Sequence, residues 1–199
     1  MSGHQEVART AVPASDAELL AAVSAGDVKA FGDLMQRHHG PVYRVAWRMT
    51  GGREADDIAQ ETFIKLWKNP QQVKEGSALR SWLMRVASNA AIDRARKRKP
   101  EAMDEVAEIT DGRANVEETL QQSAAASVVD QAIAALPERQ RLALTLVYFE
   151  GQSNIEAAAA MDATVEAVES LLSRARRALK QSLSGQWQEL LGSLAGDGA

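Results

Sequence analysis

Asp57 and Glu61 stand four residues apart, so on a helix their carboxylates would share one face and could share a divalent ion. Nothing in the chain completes such a site. The three histidines, His4, His38 and His39, lack partners at ligand spacing, and no Glu-x-x-His occurs. There is no cysteine, hence no disulfide framework, thiol nucleophile or thiolate metal site. A Gly-rich phosphate loop and a Gly-x-Ser-x-Gly are also missing. No catalytic residue, metal or cofactor is expected. With Gln60 between them, Asp57 and Glu61 instead form a cluster of acceptors, while Lys65 and Lys68 fall in the last turn, where they suit the helix dipole. On this helix alone the pattern reads first as a solvated face, and it also fits a docking surface for a basic partner.

The second kind of chemistry is anion binding. A net charge of −4 argues against a nucleic-acid binder, yet the charge is segregated. Arg80 to Lys99 holds seven bases (Arg80, Arg85, Arg94, Arg96, Lys97, Arg98, Lys99) and one acid, Asp93. Glu101 to Glu118 holds seven acids and a single base, Arg113. Arg174, Arg176, Arg177 and Lys180 then crowd a late segment. Guanidinium groups clamp phosphates and an amide such as Asn89 can read a base edge; Asn89 and Asp93 could equally form a buried hydrogen-bonding pair. Trp82 could stack on an unpaired base, but its place on an apolar stripe favours the core. Lys74 lies in a loop, from Asn69 to Ser77, of the kind that can capture a displaced base or merely cover a bundle.

The elements that must carry these groups read as helix throughout. Alanine is abundant, and neither β-branched runs nor period-two alternation occurs. Helices are expected near 16–25, 27–50, 54–69 and 77–98, with Gly26, Gly51–Gly52 and Asn69–Pro70 as punctuation. Ala55, Ile58, Ala59, Thr62, Phe63 and Leu66 make the apolar stripe of the third. Leu79, Trp82, Leu83, Val86 and Ala90 make that of the fourth, with Ser77 as its N-cap. Pro100 stops it, and the acidic stretch to about Gln122 reads as a linker. Further helices are expected near 124–135, 138–150, 153–161 and 165–184, with Pro137 at the start of the second and Gly151 at its end. The last two, joined across Met161 to Thr164 with Thr164 as N-cap and Glu166 in the first turn, fit a helix-turn-helix. The fold class is all-α: two small helical domains, 16–99 and 124–184, joined by a flexible acidic linker, 100–123, with tails at 1–15 and 185–199, the latter holding one more short helical turn. A hydrophobic fraction of 45% supports a packed core, no apolar run approaches the length of a membrane span, and the first fifteen residues do not read as a signal peptide. The expected compartment is the cytoplasm.

In this order the segments resemble bacterial sigma-70 family factors of the extracytoplasmic-function (ECF) group. Asp57-Ile58-x-Gln60-Glu61-x-Phe63 resembles the family's core-binding helix. Ser81-Trp82-Leu83, Asn89, Asp93, Arg94 and the basic run to Lys99 resemble the segment that melts and reads the minus-ten element. Leu136-Pro137-x-Arg139-Gln140-Arg141, Glu150-Gly151-Gln152-Ser153 and Ser170-x-x-Ser173-Arg174-Ala175-Arg176-x-x-Leu179 resemble the minus-thirty-five-binding domain. The match spans about Ala17 to Leu183.

The resemblance implies core RNA polymerase as partner at Asp57, Gln60 and Glu61. It implies promoter DNA at Lys74, Arg80, Arg85, Asn89, Arg94, Arg96, Lys97 and Arg98 on the minus-ten side. In the helix-turn-helix, it implies DNA at Thr164, Glu166, Glu169, Ser170, Ser173, Arg174, Arg176 and Arg177. It also implies an anti-sigma protein, and it suits the acidic linker to the RNA exit channel, against simple solvation of the tether. The chain departs from the family where the recognition helix usually begins with a Gly-Thr-Val-Lys-Ser-Arg-like sequence. Here it reads Glu166-Ala167-Val168-Glu169-Ser170-Leu171, and the preceding Glu-Ile-Ala is Glu156-Ala157-Ala158. Two other readings use the same features: a stand-alone helix-turn-helix regulator, and a helical adaptor or anti-regulator whose acids mimic nucleic acid.

Overall fold

A computed structural model describes the backbone of residues 14–73, 78–98 and 128–196, with side chains as far as Lys97 and Ser184 in the last two segments. Ser77, Lys74 and the whole acidic linker lie outside the described residues, as do the first thirteen residues. Among the described residues every regular element is helical.

Helix α1, Asp16–Ser24, starts at a reciprocal cap: the Glu18 N–H donates to Ser15 Oγ at 3.3 Å, and the Ser15 N–H to Glu18 Oε2 at 2.7 Å. Its Leu19, Leu20 and Val23 are buried. Asp16 ties it to α2, Val28–Thr50, where His38 Nε2 lies 2.7 Å from Asp16 Oδ2. That pairing, with His38 buried, gives the histidine a structural place. Asp27 caps α2, accepting from the N–H groups of Lys29 and Ala30, and Gly51 closes it at φ 70°. The helix runs through Pro41, whose missing N–H leaves one rung of the ladder unmade.

Helix α3, Ala55–Lys68, buries Ala55, Ile58, Ala59, Thr62, Phe63 and Leu66, the six residues of the expected stripe. A short 3₁₀ turn, Pro70–Gln72, leads toward α4, Leu79–Arg98. α4 departs from a single stripe. Leu79, Trp82 and Leu83 are buried as expected, but so are Met84, Ala87, Ser88 and Ala91, while Val86 and Ala90 are only partly covered. The reason is tertiary: α4 packs on α2 and α3 and also on helices of the second domain.

The second domain opens with α5, described over 128–134. α6, Glu138–Leu144, follows Pro137 and passes into a π turn, Thr145–Phe149. There the Glu150 N–H reaches the Thr145 carbonyl at 3.0 Å, so the expected uniform helix to residue 150 widens at its end. α7, Asn154–Met161, starts at a second capping box built by Ser153 and Glu156 and ends at Asp162, held left-handed at φ 48°. α8, Val165–Gly196, does not stop near residue 184 but continues through Gly185 and Gly192. A lone glycine costs a helix only about 1 kcal/mol, too little to end one whose other residues favour it. Buried apolar residues of both domains join in one contiguous core.

Candidate functional site

Because the whole apolar stripe of α3 is buried, Asp57, Gln60 and Glu61 are all exposed on its outer side. Two residues on that side escaped the sequence reading. Ile64 (42% exposed) and Trp67 (38%) lie about one and two turns beyond Gln60 and carry apolar surface to the edge of the acceptor cluster. Trp67 rests against Phe31 of α2, ring centroids 5.0 Å apart. The signal was present: both are large apolar residues off the buried stripe.

On α4, Arg80, Arg85, Asn89, Arg96 and Lys97 are exposed. Asn89 and Asp93 are both solvent-facing, which removes the buried-pair alternative: they line a cleft of about 320 Å³ with Ile92, Arg96 and residues of α6 and α7. Trp82 is a core residue at 6% exposure. Arg94 turns toward α3, with Nη2 2.5 Å from Glu61 Oε1 and Nε 3.8 Å from Glu54 Oε2. Arg98 is placed by its backbone alone, at the end of α4, and Lys74 lies outside the described residues.

The late helices form the expected bihelical unit. Thr164 Oγ1 accepts from the Ala167 N–H at 3.2 Å, capping α8. The Glu166 carboxyl is held below its ordinary range by its own backbone N–H and by the Thr164 hydroxyl. Val168, Leu172 and Ala175 are buried at helical spacing. That leaves Glu166, Glu169, Ser170, Ser173, Arg174, Arg176 and Arg177 exposed on the remaining surface. Glu169 lies 3.5 Å from the Asn154 amide, and Arg176 reaches the Tyr148 hydroxyl at 3.4 Å. An acidic helix face, an arginine-bearing helix and a capped bihelical unit with a mixed polar face are thus carried by one chain.

The family profile for sigma-70 region 2 matches residues 34–101, and that for sigma-70 region 4 matches 127–179. The ECF RNA polymerase sigma factor SigW of Bacillus subtilis is 30% identical over 173 residues, 81% of this chain and 92% of that protein. The ECF sigma factor SigM of Mycobacterium tuberculosis is 36% identical over 174 residues, 85% of each. The chain belongs to the ECF group of RNA polymerase sigma factors. Among solved structures, CnrH in complex with the cytosolic domain of CnrY superimposes with a TM-score of 0.65 at 27% identity, covering 85% of this chain and 97% of that one. α3 and α4 of this sigma factor fall inside the region 2 match, and α6, α7 and the start of α8 inside region 4.

A feature missed in the sequence lies between the two regions. Glu150, read as part of a loop motif, has a fully buried side chain. Its carboxylate accepts from Arg44 Nε at 2.9 Å and Nη2 at 2.7 Å, and its carbonyl accepts from Arg80 Nη2 at 2.6 Å. The fork-to-carboxylate geometry raises the Arg44 pKa above its ordinary value.

Proposed function

We propose that this sigma factor docks on core RNA polymerase through Asp57, Gln60 and Glu61, with Ile64 and Trp67 extending the contact. The supporting observation is the division of labour on α3: six buried residues face inward and leave Asp57, Gln60 and Glu61 exposed, Glu61 being paired with Arg94, on the side that would meet a basic partner. Arg80, Arg85, Asn89, Arg94, Arg96, Lys97 and Arg98, with Lys74, then serve the minus-ten element, where phosphate contacts position the strand and Asn89 meets a base edge. The face of α8 from Thr164 to Arg177 serves the minus-thirty-five element. Glu169 accepts there from a cytosine amino group, and Arg174, Arg176 and Arg177 hold the backbone. The protein acts by binding, not by chemistry: docking energy is used to open DNA and hold unpaired bases.

An anti-sigma protein is the proposed regulator, consistent with the CnrH structure, which holds the cytosolic domain of a second protein. The proposed compartment is the cytoplasm. Among the described residues no helix is long and apolar enough to cross a membrane. Residues 16–99 and 124–184 are proposed as the working domains, with 100–123 as tether.

The deciding experiment is run-off transcription with purified core polymerase on promoter DNA from upstream of the protein's own gene. A discrete transcript that needs this protein, and that disappears with Asp57→Arg and Glu61→Arg combined, is the expected result. No transcript together with no polymerase binding would overturn it in favour of a stand-alone regulator.

A further inference from the structure

Two acids open the exposed face of α8, and the structure holds them differently. Glu166 is turned back on the helix start: its carboxylate accepts from its own N–H and from the Thr164 hydroxyl, while Thr164 Oγ1 accepts from the Ala167 N–H at 3.2 Å. These bonds keep Glu166 at the cap. Glu169, about one turn on, lies outside that network and meets α7 instead, where the Asn154 side-chain amide is 3.5 Å from its Oε1. A carboxylate can only accept, so the amide must present its NH2 to it. Asn154 is the first residue of α7 and is placed by the Ser153–Glu156 capping box, whose bonds run from 2.8 to 3.2 Å. The turn between the helices closes at Asp162, left-handed at φ 48°, and brings together two residues 15 positions apart. Ser170, the next exposed polar residue of α8, carries a hydroxyl that donates or accepts equally. Of Glu166, Glu169 and Ser170, Glu169 is the one that offers an acceptor, without a donor, away from the cap.

We propose that Asn154 and Glu169 form a couplet across the helix-turn-helix that reads one cytosine of the minus-thirty-five element. Asn154 is the positioning residue: it holds Oε1, and Oε2 is left to accept from the cytosine amino group. The couplet rests on reading α8 as the minus-thirty-five surface. An unsupported glutamate on an exposed turn samples several rotamers, and its charge turns away from the phosphates on either side of the groove. An amide on one oxygen narrows that choice and keeps the other oxygen on the base edge. The chemistry then ranks the bases. In the major groove cytosine offers an amino donor, and adenine sets its amino group beside the N7 acceptor. Guanine presents the N7 and O6 acceptors, and thymine presents O4 with a methyl group. A single carboxylate oxygen is satisfied by cytosine, less well by adenine, and is repelled by guanine and thymine. The departure to Glu169 thus changes which base is read, and Asn154 on the preceding helix shares in the choice.

The test uses holoenzyme assembled from core polymerase and the full chain, with promoter DNA from upstream of the protein's own gene randomised across the minus-thirty-five segment. Sequencing the captured DNA gives a base preference at each position. The unaltered protein should favour cytosine at one position over guanine and thymine by about five-fold or more, the low end for one specific base contact. Glu169→Gln keeps the shape and adds a donor, so the preference at that position alone should pass to adenine. Asn154→Ala should cut the cytosine preference to about two-fold, as for one supporting hydrogen bond. Asn154→Asp, which sets a like charge against Glu169, should abolish it, and neither variant should alter the other positions. In a Glu169→Ala background, Asn154→Ala should change nothing further, a result that a merely structural asparagine would not give. Thermal unfolding and affinity for core polymerase, measured on every variant, check the fold. No cytosine position in the unaltered protein, a preference that Glu169→Gln does not move, or one indifferent to Asn154→Ala and Asn154→Asp overturns the couplet. Arg174→Ala and Arg177→Ala separate this from the reading beneath it. If they weaken capture of every sequence alike while the couplet variants do nothing, the couplet alone falls. If they too are without effect, α8 does not meet the minus-thirty-five element and both readings fall.

Discussion

Arg94 donates from Nη2 to Glu61 Oε1 at 2.5 Å, joining on one surface a residue proposed to serve promoter melting to one proposed to serve polymerase docking. The two sites are therefore not independent. A basic partner that takes Glu61 releases Arg94, and DNA that takes Arg94 releases Glu61. By linkage each event favours the other.

Arg94→Ala is expected to tighten binding of core polymerase by up to about five-fold, as for a partly exposed pair worth at most roughly 1 kcal/mol. The same variant should lose promoter opening. Anisotropy titration of labelled protein with core polymerase reads the first effect and permanganate footprinting the second. Unchanged polymerase affinity would show that Glu61 docks without leaving Arg94.

Glu169 projects from the exposed face of α8, and on the proposed minus-thirty-five reading its carboxylate, besides meeting a cytosine, would repel the flanking phosphates. Glu169→Lys should tighten promoter binding by the polymerase complex and flatten its sequence preference. The plot of log affinity against log salt should steepen by about 0.9 for one added phosphate contact. An unaltered salt slope would place Glu169 away from the DNA.

Gly52 and Gly26 share nearly the same left-handed backbone, φ 87° and 88°, but differ in surroundings. A Cβ on Gly52 would fall 2.6 Å from Trp47 Nε1, whereas one on Gly26 meets open space. Gly52→Ala is expected to cost about 1–3 kcal/mol and Gly26→Ala nearer 1 kcal/mol. Urea unfolding of both variants tests this, and equal losses would mean that the indole moves aside freely.

Hydrogen bonds from the Ser153 backbone N–H and hydroxyl hold the Glu156 carboxyl below its ordinary 4.5. A carboxyl with a lowered folded-state pKa stabilises the protein above its unfolded value and loses that contribution as pH falls through the lowered one. The stability gap between the unaltered protein and Glu156→Gln should thus be constant above about pH 5 and close in more acid solution. Ser153→Ala should cost about 1 kcal/mol at neutral pH. A gap independent of pH would assign the cap to the hydroxyl alone.

Local chemistry was written in the chain. The six-residue stripe of α3 announced which side is buried, and so which side offers Asp57, Gln60 and Glu61, because helical period and polarity are local properties. The Thr164 cap and the turn at Asp162 were equally legible, since caps and turns depend on residues a few positions apart. What each face would meet was not. A pattern of apolar residues says that a surface is covered without naming its cover, so the second buried side of α4 and the alanine packing of α7 followed only from tertiary contact. The π turn belongs with these, a small distortion that sets Glu150 in place. In sequence, Glu150 was an ordinary acid before a glycine; 106 positions separate it from Arg44, and no local rule pairs them. Sequence by itself determined the family, the helices and their polar faces, while the tertiary structure alone decided that the arginines of one domain are held by the acids of the other.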